Sequence, residues 1–420
     1  MSTILRYNNG LRAVHAYMES VRSVAIGVYV NTGSINETDS DNGISHFIEH
    51  MLFKGTKKRS AFQIADDIDV LGAQINAFTS KSTTCFYTIS TFDHTEACIE
   101  ILSDLFFDSV FDGGEMKKEK GVVLEEISMV DDTPDESVME TVCEIYYEGH
   151  PLARPILGTR ERVSAFKKSD IKSYMKRFYT ADNVTISIAG HIGEKETDRL
   201  IKTYFADRFN GDKGEKILYP RHNAKAVSDF RVKDIEQANI AFNLPCYEFN
   251  HEKEMALYAL NNIFGGGMSS QLFQRIREQM GLAYSVYSYA STYKNDGMFM
   301  IYLGTNPEQA RAAVGAVYDT IDDFLKNGLT DREFKSGKEQ LKGGLVLGQE
   351  SSGAIMKVNA KYLQGADQLF DFDKLLNEID LLTKGDIMDA ARYVFDYDKI
   401  ASAYLGKEQR DAASFFATGK

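Results

Sequence analysis

The order of segments in the first half of this 420-residue chain recurs in its second half. In each half, a helical segment that opens near an aspartate (Asp170, Asp386) leads into an apolar strand that ends on a glycine (Gly190, Gly406). The members of each pair lie 216 positions apart, and four ordered segments recur at offsets of roughly 211 to 218. A shared offset of this kind predicts a duplicated domain, so the chain should fold as two copies of one unit.

Each half combines strands with amphipathic helices. Segments 85–91 and 299–303 have the short, apolar-rich pattern of strands, and helical patterns follow each of them. This segregated order predicts an α+β fold in which each domain is a mostly antiparallel sheet with helices packed on one face. We place a catalytic domain at 1–209, a polar, glycine-containing linker at 210–227, and a homologous domain at 228–420.

Composition narrows the class of protein. Hydrophobic residues make up 43% and charged residues 26% of the chain, as in ordinary globular proteins. The net charge of −13 argues against nucleic acid as a partner, and no apolar run reaches the roughly 20 residues of a membrane helix. The N-terminus lacks the pattern of a secretory signal, and the four cysteines show no CxxC spacing. We therefore expect a cytoplasmic protein without a membrane partner.

The most specific signal in the sequence is His46-x-x-Glu49-His50. On a helix, positions 46 and 50 are one turn apart, so both imidazoles project from one face. Two imidazoles at that spacing suit a zinc site, which then needs a third protein ligand and an open position. Glu49 is placed to accept a proton from the water that the metal activates. This order is the reverse of HExxH and matches the inverted zincin motif.

The third ligand should be a carboxylate on another helix. Glu119 and Glu126 are seven residues apart, two helical turns, and so share a face, whereas Glu125 points about 100° away. On pattern alone, either Glu125 or Glu126 can be the ligand, and the other is then a surface charge.

Four segments together resemble one known family. They are HFIEHMLFKGT (46–56), EKGVVLEEI (119–127), HPLARPILGT (150–159) and FGGGMSSQLFQRIREQMGLAYSV (264–286). The chain resembles, over nearly its whole length, the pitrilysin/insulinase metallopeptidases, in the branch of the mitochondrial processing peptidase beta subunit and its bacterial homodimeric relatives. The resemblance implies Glu126 as the third zinc ligand and Glu119 as a carboxylate that orients the site. Ala153, where the family commonly has glycine, is a small departure from its pattern.

The resemblance also implies a set of substrate-binding residues. Asn76 and Ala77 lie in a stretch that resembles the family's substrate-binding edge strand. Arg277 and Tyr284 correspond to a pair that contacts the substrate near the scissile bond, where an arginine can donate to a peptide carbonyl and a tyrosine can support an oxyanion. The glycines at 265–267 lack the GK[ST] ending of a phosphate-binding loop, which argues against nucleotide binding.

The expected function is therefore that of a zinc metalloendopeptidase, with one Zn2+ per subunit, that hydrolyses peptides or unstructured segments. In the family four such domains enclose a chamber, so two copies of this chain are implied, and a homodimer is expected. Manganese or cobalt in place of zinc stays open. Two alternatives also stay open: a non-catalytic scaffold subunit, and a catalytic subunit that requires a different partner chain.

Overall fold

A computed structural model describes residues 2–409 and 414–416 of the chain. The strands are β1 Ser2–Arg6, β2 Arg12–Tyr17, β3 Ser23–Val30, β4 Gln74–Thr79, β5 Thr84–Thr91, β6 Val184–Gly190, β7 Val227–Val232, β8 Ala238–Pro245, β9 Ala283–Thr292, β10 Gly297–Thr305 and β11 Ala401–Gly406. The helices are α1 Ile44–Leu52, α2 Ala61–Val70, α3 Thr95–Asp108, α4 Gly113–Asp132, α5 Pro134–Tyr146, α6 Arg160–Ala165, α7 Lys168–Phe178, α8 Glu194–Tyr204, α9 Glu254–Phe264, α10 Ala310–Asn327, α11 Asp331–Leu347, α12 Ser352–Ala366, α13 Phe372–Leu381 and α14 Lys384–Val394. Within these residues, no helix combines the length and apolarity that crossing a membrane requires.

Two sheets with matching topology confirm the predicted α+β fold and its duplication. The first sheet has the order β1-β2-β6-β3-β5-β4, and the second has the order β7-β11-β8-β10-β9. In each sheet only one pair of neighbouring strands is parallel, β2 with β6 and β7 with β11, and all other pairs are antiparallel. Apart from the extra strand β1, each strand of the first sheet has a counterpart at the same place in the second.

The chain forms two compact units that exchange segments between the sequence halves. Unit 1 comprises residues 1–128, 154–218 and 347–370, and unit 2 comprises residues 129–153, 219–346 and 371–420. The segment with α5 thus belongs to the unit of the second sheet, and the segment with α12 belongs to the unit of the first. The predicted halves, 1–209 and 228–420, do not coincide with these units. A repeat shows which elements are homologous, but it does not show against which sheet each element packs.

Helix α12 explains why the central strands of unit 1 are buried on both faces. In β3, Val24, Ile26 and Val28 face the main helical layer, whereas Ala25 and Tyr29 point to the opposite face. There they pack with Met356 and Ala360 of α12, both of which are fully buried. Most helices of unit 1 pack on one face, as the sequence predicts, and α12 adds a cover on the other.

Strand β4 lies at the edge of the first sheet. It pairs with β5 from Gln74 opposite Ile89 to Thr79 opposite Thr84, and no described strand pairs with its other side. Helix α1 packs against β4. This arrangement places the zinc-motif helix directly beside an open strand edge.

Candidate metal centre

The start of α1 is held by backbone packing and a buried carboxylate. Gly43, just before the helix, has φ of +92°, and a Cβ there would lie 2.6 Å from the Leu157 carbonyl oxygen and 2.7 Å from Gly158 Cα. Only glycine fits this approach without strain. Glu37 replaces the side-chain cap that Gly43 lacks, because its carboxylate accepts from the Gly43 N–H at 2.7 Å and the Ser45 N–H at 2.9 Å. Burial raises the pKa of Glu37, and these donors oppose that shift.

Three atoms that could ligate a metal ion lie close together, two from α1 and one from α4. The Nε2 atoms of His46 and His50 lie 3.3 Å apart, as expected for one helix face. Glu126 Oε2, from α4, lies 3.7 Å from the first of these nitrogens and 3.5 Å from the second. Glu125 is exposed on α4, whereas the Oε2 atom of Glu126 is buried. Of the two glutamates that the helical pattern left open, only Glu126 joins the histidines.

Two of the three separations match those expected around a bound zinc ion, and the third, 3.7 Å, is slightly longer. Bond lengths of about 2.0–2.2 Å in a tetrahedron place ligand atoms roughly 3.3–3.5 Å apart. Among the described residues, Glu126 Oε2 is buried without a hydrogen-bond donor, and His46 Nδ1 is also unpartnered. A buried acceptor with no donor is costly, and a divalent cation would satisfy it. Burial lowers the pKa of His46 to about 3, so its ring is neutral and able to ligate at neutral pH.

Glu119 orients one of the two imidazoles. Its Oε1 atom lies 2.9 Å from His50 Nδ1, and its side chain is only 6% exposed. An ionised carboxylate only accepts hydrogen bonds, so Nδ1 carries the proton and Nε2 presents its lone pair toward Glu126. Lys54 Nζ contacts the other oxygen of Glu119 at 2.8 Å. In this series of contacts Glu119 sets the tautomer of His50, and Lys54 balances the charge of Glu119.

Glu49 lies on the same side of α1 as the histidines. Burial raises the pKa of Glu49, and a hydrogen bond from the Thr79 hydroxyl to Oε2, 2.5 Å long, opposes the shift. Thr79 is the last residue of β4, so this bond joins the zinc-motif helix to the edge strand. The geometry gives the site a partly buried carboxylate held beside the three donor atoms.

The second half has no equivalent cluster among the described residues. Aligning the repeats places Leu257, Leu260 and Asn261 of α9 opposite His46, Glu49 and His50, and both leucines are fully buried. Among the described residues, His46, His50 and Glu126 form the only group of three or more histidine, cysteine or carboxylate side chains close enough together to hold a metal ion. The duplicated helix is therefore a packing element in unit 2.

Arg277 and Tyr284 form a surface pair in unit 2. The Arg277 guanidinium carbon lies 4.9 Å from the centre of the Tyr284 ring and 4.8 Å from that of Phe273. Tyr284 is 72% exposed, so its side chain is accessible at the surface of unit 2. The guanidinium–ring contact holds the two predicted substrate residues side by side.

Asn76 and Ala77 lie in the middle of the edge strand β4. The amide oxygen of Asn76 accepts a hydrogen bond of 2.8 Å from the Ala77 N–H. Ala77 packs on the hydrophobic core of unit 1. The structure thus places both residues on an open strand edge beside α1, and their binding of substrate stays a prediction.

Comparison with known proteins agrees with this geometry. Residues 12–160 match the sequence model of the insulinase family (peptidase family M16), and residues 165–341 match that of the peptidase M16 inactive domain. A Bacillus subtilis protein named uncharacterized zinc protease YmxG is 40% identical over 400 residues, which cover 94% of this chain and 96% of that protein. The chain belongs to the M16 family. A Streptomyces coelicolor protein, also named an uncharacterized zinc protease, is 35% identical over 92% of this chain and 85% of that protein.

Two solved structures share the fold over nearly all of this chain. A protease from Helicobacter pylori superposes with a TM-score of 0.91 at 22% identity and covers 97% of this chain and 99% of that one. A peptidase M16 inactive domain from Pseudomonas fluorescens gives the same TM-score at 19% identity, covering 97% of this chain and 98% of that one. At these identities the likeness supports the two-sheet fold.

Sequence reasoning missed three residues that support the M16 site. Glu37 caps the start of α1, Lys54 forms an ion pair with Glu119, and Thr79 donates a hydrogen bond to Glu49. Thr79 had a detectable signal, because alternation along β4 places it on the same face as Ala77. Lys54 lies one turn after His50, so it also had a signal. The sequence carries no signal for Glu37, because the role of this residue depends on how a loop folds back over the helix.

Proposed function

We propose that the chain is a zinc-dependent endopeptidase that cleaves peptides or unstructured segments. The observation that carries the proposal is the set of separations between His46 Nε2, His50 Nε2 and Glu126 Oε2, 3.3, 3.5 and 3.7 Å, which suits one tetrahedral ion. Membership of the M16 family and relatives named zinc proteases support it.

His46, His50 and Glu126 would hold Zn2+, which when bound lowers the pKa of a water molecule and polarises the scissile carbonyl. Glu49 accepts the proton of the attacking water and then donates it to the leaving amine. Glu119 keeps the proton of His50 on Nδ1, so that Nε2 stays a ligand. The partly buried position of Glu49 favours this role, because a raised pKa makes the carboxylate a stronger base.

The proposed substrate is an extended peptide bound along β4. The open edge of β4 offers backbone groups to such a chain, a mode that tolerates many side chains. At Ala77 the peptide would take the place of Asn76 Oδ1, which accepts from the Ala77 N–H in the free protein. We further propose that two copies of the chain form a homodimer, in which Arg277 and Tyr284 of one subunit serve the metal site of the other. The exposure of Tyr284 and the resemblance to chamber-forming relatives support this assembly.

Replacement of the general base tests the proposal. Purified wild-type, Glu49→Gln and Glu125→Gln proteins are incubated with an unstructured peptide library, with and without a chelator, and the products are identified by mass spectrometry. We expect chelator-sensitive internal cleavage by the wild type and by Glu125→Gln, which serves as a matched control because it makes the same change at an exposed glutamate of α4. Glu49→Gln should retain zinc and lose nearly all turnover, because an amide cannot accept the proton of the water.

Two results would contradict the proposal. Wild-type protein that contains no stoichiometric metal and cleaves no peptide would exclude a catalytic function. Near-normal turnover by zinc-loaded Glu49→Gln would exclude Glu49 as the base and leave the metal site without its proposed chemistry.

A further inference from the structure

The hydroxyl of Thr79 donates a hydrogen bond of 2.5 Å to Glu49 Oε2. From this contact we infer that Thr79 is a positioning residue that orients the Glu49 carboxylate for proton transfer. The inference rests on the proposed peptidase function and assigns a determinant of that same site. Thr79 touches neither the three metal donors nor the reacting atoms, and it acts only through Glu49.

The position of Thr79 follows from the alternation of side chains along β4. Ile75 and Ala77 pack on the hydrophobic core of unit 1, and Thr79 lies two residues further along the same face. Its backbone is held by pairing with Thr84 in the last pair of the β4–β5 ladder. Because α1 packs against β4, this face meets the helix that carries Glu49. The hydroxyl therefore projects from a rigid strand and not from a mobile loop.

The hydrogen bond removes a freedom that the carboxylate otherwise has. The last torsion of a glutamate is broad, so the two oxygens of a free carboxylate exchange places readily. Thr79 supplies one donor, and Oε2 accepts it. Among the described residues, none donates a hydrogen bond to Glu49 Oε1. The Thr79 bond thus holds one oxygen and leaves the other to accept the proton of the attacking water.

A positioning role for Thr79 predicts an effect on kcat and not on KM. A residue that helps only to bind the peptide changes KM, whereas one that orients the base changes kcat. Thr79 belongs to the strand whose edge is proposed to bind substrate, so both effects have to be measured. Its hydroxyl is engaged with Glu49, and the strand edge is formed by backbone groups, so removal of the hydroxyl should act on kcat.

Three variants test the role of the hydroxyl. Thr79→Val keeps the shape of the side chain and removes the donor, and Thr79→Ser keeps the donor. Thr83→Val is a matched control, because Thr83 lies in the turn after β4 and its hydroxyl contacts Gln364 at 3.4 Å. Zinc-loaded Thr79→Val should lose roughly 10- to 100-fold in kcat, the range for a hydrogen bond to a charged group, with KM changed by less than about 3-fold. The kcat of Thr79→Ser should stay within about 3-fold of the wild-type value, and the kcat of Thr83→Val should equal the wild-type value.

A second measurement uses metal-free protein and needs no activity. Melting temperatures of wild type, Thr79→Val, Glu49→Leu and the double variant form a double-mutant cycle at pH 8. If the hydrogen bond exists, Thr79→Val lowers the melting temperature more when Glu49 is present than when leucine replaces it. Equal shifts in the two backgrounds would show that the residues do not interact, and this would overturn the inference.

The kinetic outcomes distinguish failure of the inference from failure of the proposed function. If the wild type cleaves peptides and Thr79→Val has kcat within 2-fold of it, the positioning role is wrong and the peptidase function stands. Equal losses in Thr79→Val and Thr79→Ser would assign the effect to packing, which also overturns the role. If the wild type shows no chelator-sensitive cleavage, the proposed function fails and the inference falls with it.

Discussion

The choice between Glu126 and Glu125 as metal ligand gives the most direct test of the site. Glu126→Gln removes the charge of an oxygen that lies 3.5 and 3.7 Å from the two histidine nitrogens. Loss of a hydrogen-bond partner of a ligand already lowers metal affinity by about 10- to 100-fold. Loss of a ligand charge should exceed the upper end of that range, so we expect a decrease of more than about 100-fold, or about 2.7 kcal/mol.

Glu125→Gln provides the matched comparison. Glu125 is the adjacent residue of the same helix, but it is exposed and does not belong to the cluster. A carboxylate on the order of 10 Å from a dication in water contributes about 0.8 kcal/mol, and salt screens much of that. The change in zinc affinity should therefore be less than about 4-fold.

The assay is equilibrium dialysis against a buffered series of free zinc concentrations, with bound metal measured by mass spectrometry. Circular dichroism of each metal-free variant checks that the fold is retained. Equal losses of affinity in the two variants, or a greater loss in Glu125→Gln, would refute the ligand assignment.

Three further predictions follow from specific contacts. Lys54→Met should lower zinc affinity by about 10-fold, because Glu119 loses the ion-pair partner that holds its second oxygen at 2.8 Å, and dialysis against zinc would detect it. Corefolding of Glu49→Gln with Tyr284→Phe should restore about a quarter of wild-type peptidase activity if the sites are shared across a homodimer, and no rescue in verified heterodimers would exclude sharing. Met356→Ala should destabilise the protein by about 2–5 kcal/mol, because that side chain is fully buried against the first sheet, and a near-wild-type denaturation midpoint would argue against this packing.

Much of the site was accessible from local patterns in the sequence. The spacing of His46 and His50 placed both rings on one face of α1, because an α-helix repeats every 3.6 residues. The same periodicity paired Glu119 with Glu126 on α4, and the structure brings both to the histidines. It did not separate Glu125 from Glu126 without the family resemblance, since the rotation of α4 about its axis depends on packing.

What the sequence by itself determined was the set of repeating elements. Alternation and helical periodicity depend on neighbours a few residues apart, so the strands and the amphipathic helices could be predicted from the sequence. The duplication could be predicted because the same order of elements recurs at an offset near 216. The residues of the zinc motif are contiguous, and for that reason they too were recognised.

Only the tertiary structure decided which surfaces meet. It assigned α12 to the first sheet, where Met356 fills the face opposite the main helical layer, and it assigned α5 to the unit of the second sheet. It also brought Thr79 to Glu49, 30 residues away along the chain. Such contacts join residues far apart in sequence, and they are selected by complementary shape and burial across the whole chain. Local sequence patterns therefore do not predict which of these surfaces come into contact.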